Sequence, residues 1–164
     1  MRQKIRIILT FVIFLAPGLS WALDYKDWLP LLPDEIGGLK TKAKDSGVNI
    51  NAGGTIMSIL TITYGEGDKK IDISITAEAS GIPNKSAQTK ERTIMETEDF
   101  VQKIIIIQGF IGLYMNNKSA KNHIIKINLN SKSTFTFMAD GYEEEKYILG
   151  LVNKINLKKI YATF

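Results

Sequence analysis

The sequence predicts an α+β domain, with a mostly antiparallel sheet of four to six strands packed by a C-terminal helix and one or two shorter helices. Three observations carry that prediction. Two pairs of segments alternate apolar and polar residues with period two, and each pair is joined by a short turn-forming stretch, the mark of β-hairpins with one buried and one wet face. Near the C-terminus the apolar residues recur at helical spacing instead. Strand-like and helix-like segments do not alternate along the chain, so parallel βαβ units are not expected.

The elements follow in order. In residues 23–39 (LDYKDWLPLLPDEIGGL), Asp24 suits the cap of a short helix ending near Leu29, and Pro30 and Pro33 forbid a long one. Trp28, Leu29, Leu31, Leu32 and Ile36 are expected to form a lid over one edge of the core, the rival reading being an exposed peptide that docks a partner. Residues 45–54 (DSGVNINAGG) are turn formers. A strand is predicted over 55–64, with Ile56, Leu60, Ile62 and Tyr64 on one parity and Thr55, Thr61 and Thr63 on the other. Beyond the turn at Gly65-Glu66-Gly67-Asp68, the strand over 70–79 sets Ile71, Ile73, Ile75 and Ala77 against Asp72, Ser74, Thr76 and Glu78.

Residues 80–99 are polar, with Gly81 and Pro83 as breakers; a modest helix over 86–97 competes there with a loop. From Phe100 the strand pattern returns. Val101, Ile105 and Ile107 share one parity and Ile104 and Ile106 the other, so 104–107 is expected to be buried on both faces. Gly109 and Gly112 suggest a bulge or a close backbone approach within a strand continuing to Tyr114. A second hairpin is predicted from strands at 122–129 and 134–139, with His123, Ile125, Ile127 and Leu129 sharing a face, as do Phe135, Phe137 and Ala139. The last element is a helix over 142–156, carrying Tyr147, Ile148, Leu151, Val152 and Ile155 as an apolar stripe. Asp140 is a candidate cap, Glu143, Glu144 and Glu145 occupy its first turn, and Lys154, Lys158 and Lys159 lie at its far end, which suits the helix dipole.

The first 22 residues (MRQKIRIILTFVIFLAPGLSWA) have the layout of a secretory signal peptide: Arg2, Lys4 and Arg6, then an apolar run, a Pro17-Gly18 break, and small residues Ser20 and Ala22 before the expected cleavage site. The apolar run of about ten residues falls short of the roughly 20 that span a bilayer, which disfavours the rival reading of an uncleaved anchor. Removing the three leader cations takes the formal charge from +4 to +1. Most of the basicity is therefore targeting information, and nucleic-acid binding loses its support by charge and by compartment. The remainder, residues 23–164, reads as one domain with no internal repeat. The expected location is the periplasm.

Catalytic signals are sparse. With no cysteine, the chain has no disulfides, thiol nucleophile or lipid-modified cysteine, and one histidine without cysteine makes a zinc or copper site improbable. The turn at 65–70 does not match a calcium loop, and no serine-hydrolase, zincin, phosphate-loop or dinucleotide pattern occurs. No cofactor is expected. His123 reads as a hydrogen-bonded strand residue rather than a base, and the glutamate triplet as a helix start rather than an acid/base cluster.

The segments LLPDEIGGL (31–39), TYGEGDKKIDISIT (63–76), IQGFIGLY (107–114) and LVNKINLKKI (151–160) resemble a set of small exported bacterial proteins of unassigned function. That resemblance implies a periplasmic α+β domain and carries no functional residue with it. The glycine-marked strand before a hairpin and a final helix is also similar, more loosely, to the α/β/α sandwich of PsbP- and Mog1-like domains, which are largely binding or assembly factors. Such a likeness of fold does not fix a function.

The functional expectation is a non-enzymatic periplasmic accessory or binding protein whose partner is an envelope protein or a small ligand. The candidate binding residues are Trp28, Gly109, Phe110, Gly112 and Tyr114, where glycines would let another backbone approach. The alternative is a small hydrolase using His123 with a nearby hydroxyl or carboxylate.

Overall fold

The computed structural model describes residues 24–43, 46–52, 55–78 and 90–164. Among these residues, two 3-10 turns, Tyr25–Asp27 and Leu29–Leu31, precede ten strands: β1 (Glu35–Ile36), β2 (Leu39–Ala43), β3 (Gly47–Ala52), β4 (Thr55–Glu66), β5 (Lys69–Glu78), β6 (Arg92–Glu96), β7 (Phe100–Ile107), β8 (Phe110–Asn117), β9 (Asn122–Asn128) and β10 (Ser133–Asp140). Two short helices follow, α1 (Glu145–Asn153) and α2 (Leu157–Tyr161). All strands join one antiparallel sheet in the order β1-β2-β4-β5-β10-β9-β8-β7-β6, with β3 also paired to β4.

The register turns the period-2 patterns into rows across one face. Leu60, Ile75, Phe135, Ile127, Gly112 and Ile105 lie side by side on successive strands. The next row is Ile62, Ile73, Phe137, Ile125, Tyr114 and Lys103, and the third is Tyr64, Ile71, Ala139, His123, Asn116 and Val101. Nearly every residue in these rows is buried, in one core with Trp28, Leu32 and Ile36 from the N-terminal segment and Ile148, Leu151, Val152, Ile155, Leu157 and Ile160 from the C-terminal one. Removing this much apolar surface from water, at roughly 25 cal/mol per Å², is the main force holding the domain together. Lys103 is tolerated at the end of its row because its ammonium lies 2.7 Å from the Glu145 carboxylate and 5.6 Å from the centre of the Tyr114 ring.

The chain is mostly β, and the expected α+β architecture of four to six strands packed by a C-terminal helix is corrected to a ten-stranded sheet with two small helices. Three misread segments account for the difference. Residues 47–52, read as turn formers, pair with β4 as β3. Residues 92–96, for which a modest helix and a loop compete in the sequence, form the exposed edge strand β6, paired to β7 across a bulge. Only the start of that expected helix, 86–89, lies outside the described residues. Residues 100–114, expected as one bulged strand, are two strands folded back on each other: Gln108 and Gly109 take left-handed φ values of 53° and 90°, the backbone of a tight two-residue hairpin. Within β7, Ile105 and Ile107 are buried but Ile106 is 43% exposed, so 104–107 is not buried on both faces.

The single helix expected over 142–156 starts three residues late and is broken. Glu144 is extended, with φ −91° and ψ 110°, and serves as the N-cap without a side-chain bond, so only Glu145 of the triplet lies in the first turn. Asp140 belongs to β10 and accepts a hydrogen bond from Asn122 instead of capping the helix. A second helix starts where the Asn156 side chain accepts from the Lys159 amide.

Candidate functional site

At the end of the sheet where β10 runs into α1, Tyr142, Glu143 and Glu144 leave the strand direction and open a cleft of about 530 Å³. Gly37 and Leu39 from the β1–β2 turn, Lys69 from the start of β5, Lys121 before β9, and Tyr147 on α1 complete its lining. The turn before β5 packs tightly here, and at Gly141 (φ 80°) a β-carbon would sit 1.8 Å from the Asp68 carbonyl oxygen.

Several groups of the cleft contact one another. Lys121 Nζ stands 2.5 Å from Glu143 Oε1; this contact raises the lysine pKa and lowers that of the carboxylate, leaving both charged. Lys69 Nζ lies 5.5 Å from the centre of the Tyr142 ring, a cation–π contact. The Tyr142 and Tyr147 rings stack at 5.7 Å with a 26° tilt, and the Tyr147 hydroxyl donates to the Gly37 carbonyl at 3.4 Å. Burial, and then the neighbouring Tyr147, push the Tyr142 phenol up. Tyr147 is 42% exposed and presents ring surface to solvent, although its helical spacing had placed it on the buried stripe.

His123 sits beneath this floor and is fully buried. Its Nε2 lies 2.9 Å from the Tyr142 carbonyl oxygen and its Nδ1 2.8 Å from the Tyr114 hydroxyl. A carbonyl only accepts, so Nε2 carries a proton and donates it to Tyr142, while Nδ1 and the Tyr114 hydroxyl share the second bond. Burial foremost, and the Glu145 charge after it, raise the Tyr114 pKa, which keeps that hydroxyl a donor. Both ring nitrogens of His123 are therefore engaged, Nε2 with the Tyr142 carbonyl and Nδ1 with the Tyr114 hydroxyl.

The residues singled out in the sequence are scattered. Trp28 is buried, donates through Nε1 to Thr163 Oγ1 at 3.0 Å, and lies 5.5 Å from the Phe164 ring. Gly109 forms the β7–β8 turn, and Phe110 packs 5.7 Å from Tyr161. Gly112 admits the Ile127 side chain, which a β-carbon would meet at 3.0 Å, so the close approach comes from the neighbouring strand. Tyr114 is the buried partner of His123. None of these five lines the cleft.

Of the groups that do line it, the sequence marks Glu143 and Glu144 as helix-start glutamates and Tyr147 as a member of an apolar stripe, and it gives Lys69 and Lys121 no role. No local pattern in the sequence marks the cleft, because Gly37, Lys69 and Gly141 lie at strand ends that only the register brings to one end of the sheet. Among the described residues no three of His, Cys, Asp and Glu gather as a metal site, and no helix is long and apolar enough to cross a membrane. Comparison of the chain with protein-family models, curated proteins and solved structures finds no match in any of the three.

Proposed function

We propose that the protein is a non-enzymatic, exported binding protein whose ligand site is the cleft between Tyr147, Lys69, Lys121, Glu143 and Gly37. The observation that carries the proposal is the exposed tyrosine set among charges that the fold already orients. Binding sites combine a largely preformed concave surface with a few fixed polar groups, and this cleft has both. The hydrolase alternative has less support, because His123 is buried with both nitrogens engaged and its nearest side-chain partner is a phenol. Export rests on the leader-like residues 1–22, which lie outside the described residues.

The test is a fragment screen read by amide NMR shifts on the purified protein. Saturable shifts clustered at Gly37, Gly141 and Tyr147 are expected for at least one fragment. Shifts clustered instead around Trp28 or along Gly109–Tyr114 would move the site elsewhere. An N-terminal sequence beginning at Leu23 in the cell-envelope fraction is the expected result for export.

A further inference from the structure

We infer that the ligand of this cleft is a neutral saccharide, an inference that rests on the cleft being the binding site. The charges of the lining argue for neutrality. Lys69 and Lys121 are balanced by Glu143 and Glu144, so no net field selects a cation or an anion. The Lys121–Glu143 pair is closed on itself at 2.5 Å, so each of these two charges already meets its opposite. What the pair offers without breaking is its unused hydrogen-bonding capacity, donors on the ammonium and acceptors on the carboxylate. Hydroxyl groups serve both.

The aromatic floor supplies the second half of the recognition. Tyr147 is stacked on Tyr142 on one side and remains 42% exposed, and its hydroxyl bond to the Gly37 carbonyl limits rotation about the ring's position. The face of an aromatic ring carries partial negative charge and attracts positively polarised C–H groups. The axial C–H face of a pyranose is such a surface, and its equatorial hydroxyls can donate to and accept from the lysines and glutamates that line the same cleft. A flat anionic aryl group would use the ring and leave the carboxylates facing its charge. A simple anion would use a lysine and leave the ring bare. A neutral saccharide suits both the exposed ring and the hydrogen-bonding groups beside it.

The experiment titrates the purified protein, followed by amide NMR, with six probes: glucose and N-acetylglucosamine, their β-1,4-linked trimers, and inorganic phosphate with benzoate as charged controls. At least one sugar is expected to saturate the shifts at Gly37, Gly141 and Tyr147. The monosaccharide and trimer arms separate a free sugar from a segment of a polymer. Tyr147→Ala should weaken that sugar by about tenfold or more, whereas Tyr147→Phe, which keeps the ring, should stay within about threefold. Affinity should change by less than about twofold between 50 and 500 mM salt, since a neutral ligand is not subject to screening. Saturable cleft binding by phosphate or benzoate with none by the sugars would overturn the saccharide assignment while leaving the cleft as the site. Silence of the cleft resonances toward all probes and toward the fragment screen would overturn both.

Discussion

Gln108 is a non-glycine residue held at φ 53°, and its side chain bridges the β7–β8 turn to the junction of α1 and α2. Its Nε2 donates to the Asn153 carbonyl at 3.1 Å and the Ile155 carbonyl at 2.6 Å, and its Oε1 accepts from the Leu157 amide at 3.1 Å. A net contribution of about 1 kcal/mol for each neutral hydrogen bond gives a loss of about 3 kcal/mol for Gln108→Ala. Alanine keeps the unfavourable left-handed backbone that glutamine also has. Gln108→Gly loses the same three bonds but relieves that backbone, a gain of about 1 kcal/mol once the extra freedom of glycine in the unfolded chain is offset. The glycine variant should therefore be about 2 kcal/mol less stable than the parent, and more stable than the alanine variant. Urea denaturation with unchanged m-values measures both differences. If the two variants both match the parent within about 0.5 kcal/mol, the bridge contributes nothing; if alanine proves the more stable of the two, the backbone at 108 carries no penalty.

Other perturbations read other parts of the molecule. Burial pushes the Tyr64 phenol up to about 12, and its hydroxyl donates to the Pro33 carbonyl at 2.8 Å. The folded state thus holds a proton that the unfolded chain releases near pH 10, so this group's contribution of about 3 kcal/mol is fully present below pH 10 and lost between pH 10 and 12; Tyr64→Phe should make the slope of denaturation midpoints against pH shallower by that share, the remainder belonging to Tyr114 and Tyr142, whose phenols are also pushed up. Tyr114→Phe leaves His123 Nδ1 buried without its donor and should cost about 1–3 kcal/mol in urea melts, and a cost below about 0.5 kcal/mol would contradict the pairing. Gly141→Ala drives a β-carbon into the Asp68 carbonyl at a positive φ and should cost more than about 2 kcal/mol by thermal unfolding; retention of the parent Tm would show that the two turns are not locked together.

The legible parts of the fold were those where one face alone is buried. β5 reads Ile71, Ile73, Ile75 and Ala77 against polar neighbours, and the structure buries those four. β10 behaves in the same way through Phe135, Phe137 and Ala139. Edge strands gave no such signal. All five residues of β6 are exposed, so nothing in their polarity separates strand from helix or loop, and the pairing to β7 decides the matter. β3 was hidden by its glycine and asparagines, which favour turns locally but are accommodated because β4 supplies a continuous ladder from Gly47 to Ala52. Residues 108–109 were misread for lack of a familiar Asn-Gly or Asp-Gly signature, the turn being held by the Gln108 side chain across a gap of more than forty residues. The cleft was illegible for a related reason. Lys69, Lys121 and Tyr147 are far apart in sequence, and only the register of β5, β10 and β9 sets them at one end of the sheet.

The position of β10 beside β5 has a kinetic consequence. Most described ladders join strands that follow one another closely in the chain, whereas the β5–β10 ladder pairs Ala77 with Ser133 and Lys70 with Asp140. From β6 to β10 each strand returns directly along its predecessor, so this half can zip up by successive local hairpins. The other half, β3 to β5, does the same. Joining them requires closing a loop of more than fifty residues before any contact rewards it, which makes that seam the slow step of folding. Until it closes, two long apolar strand edges stand open, and the chain is then at its most vulnerable to pairing with another copy.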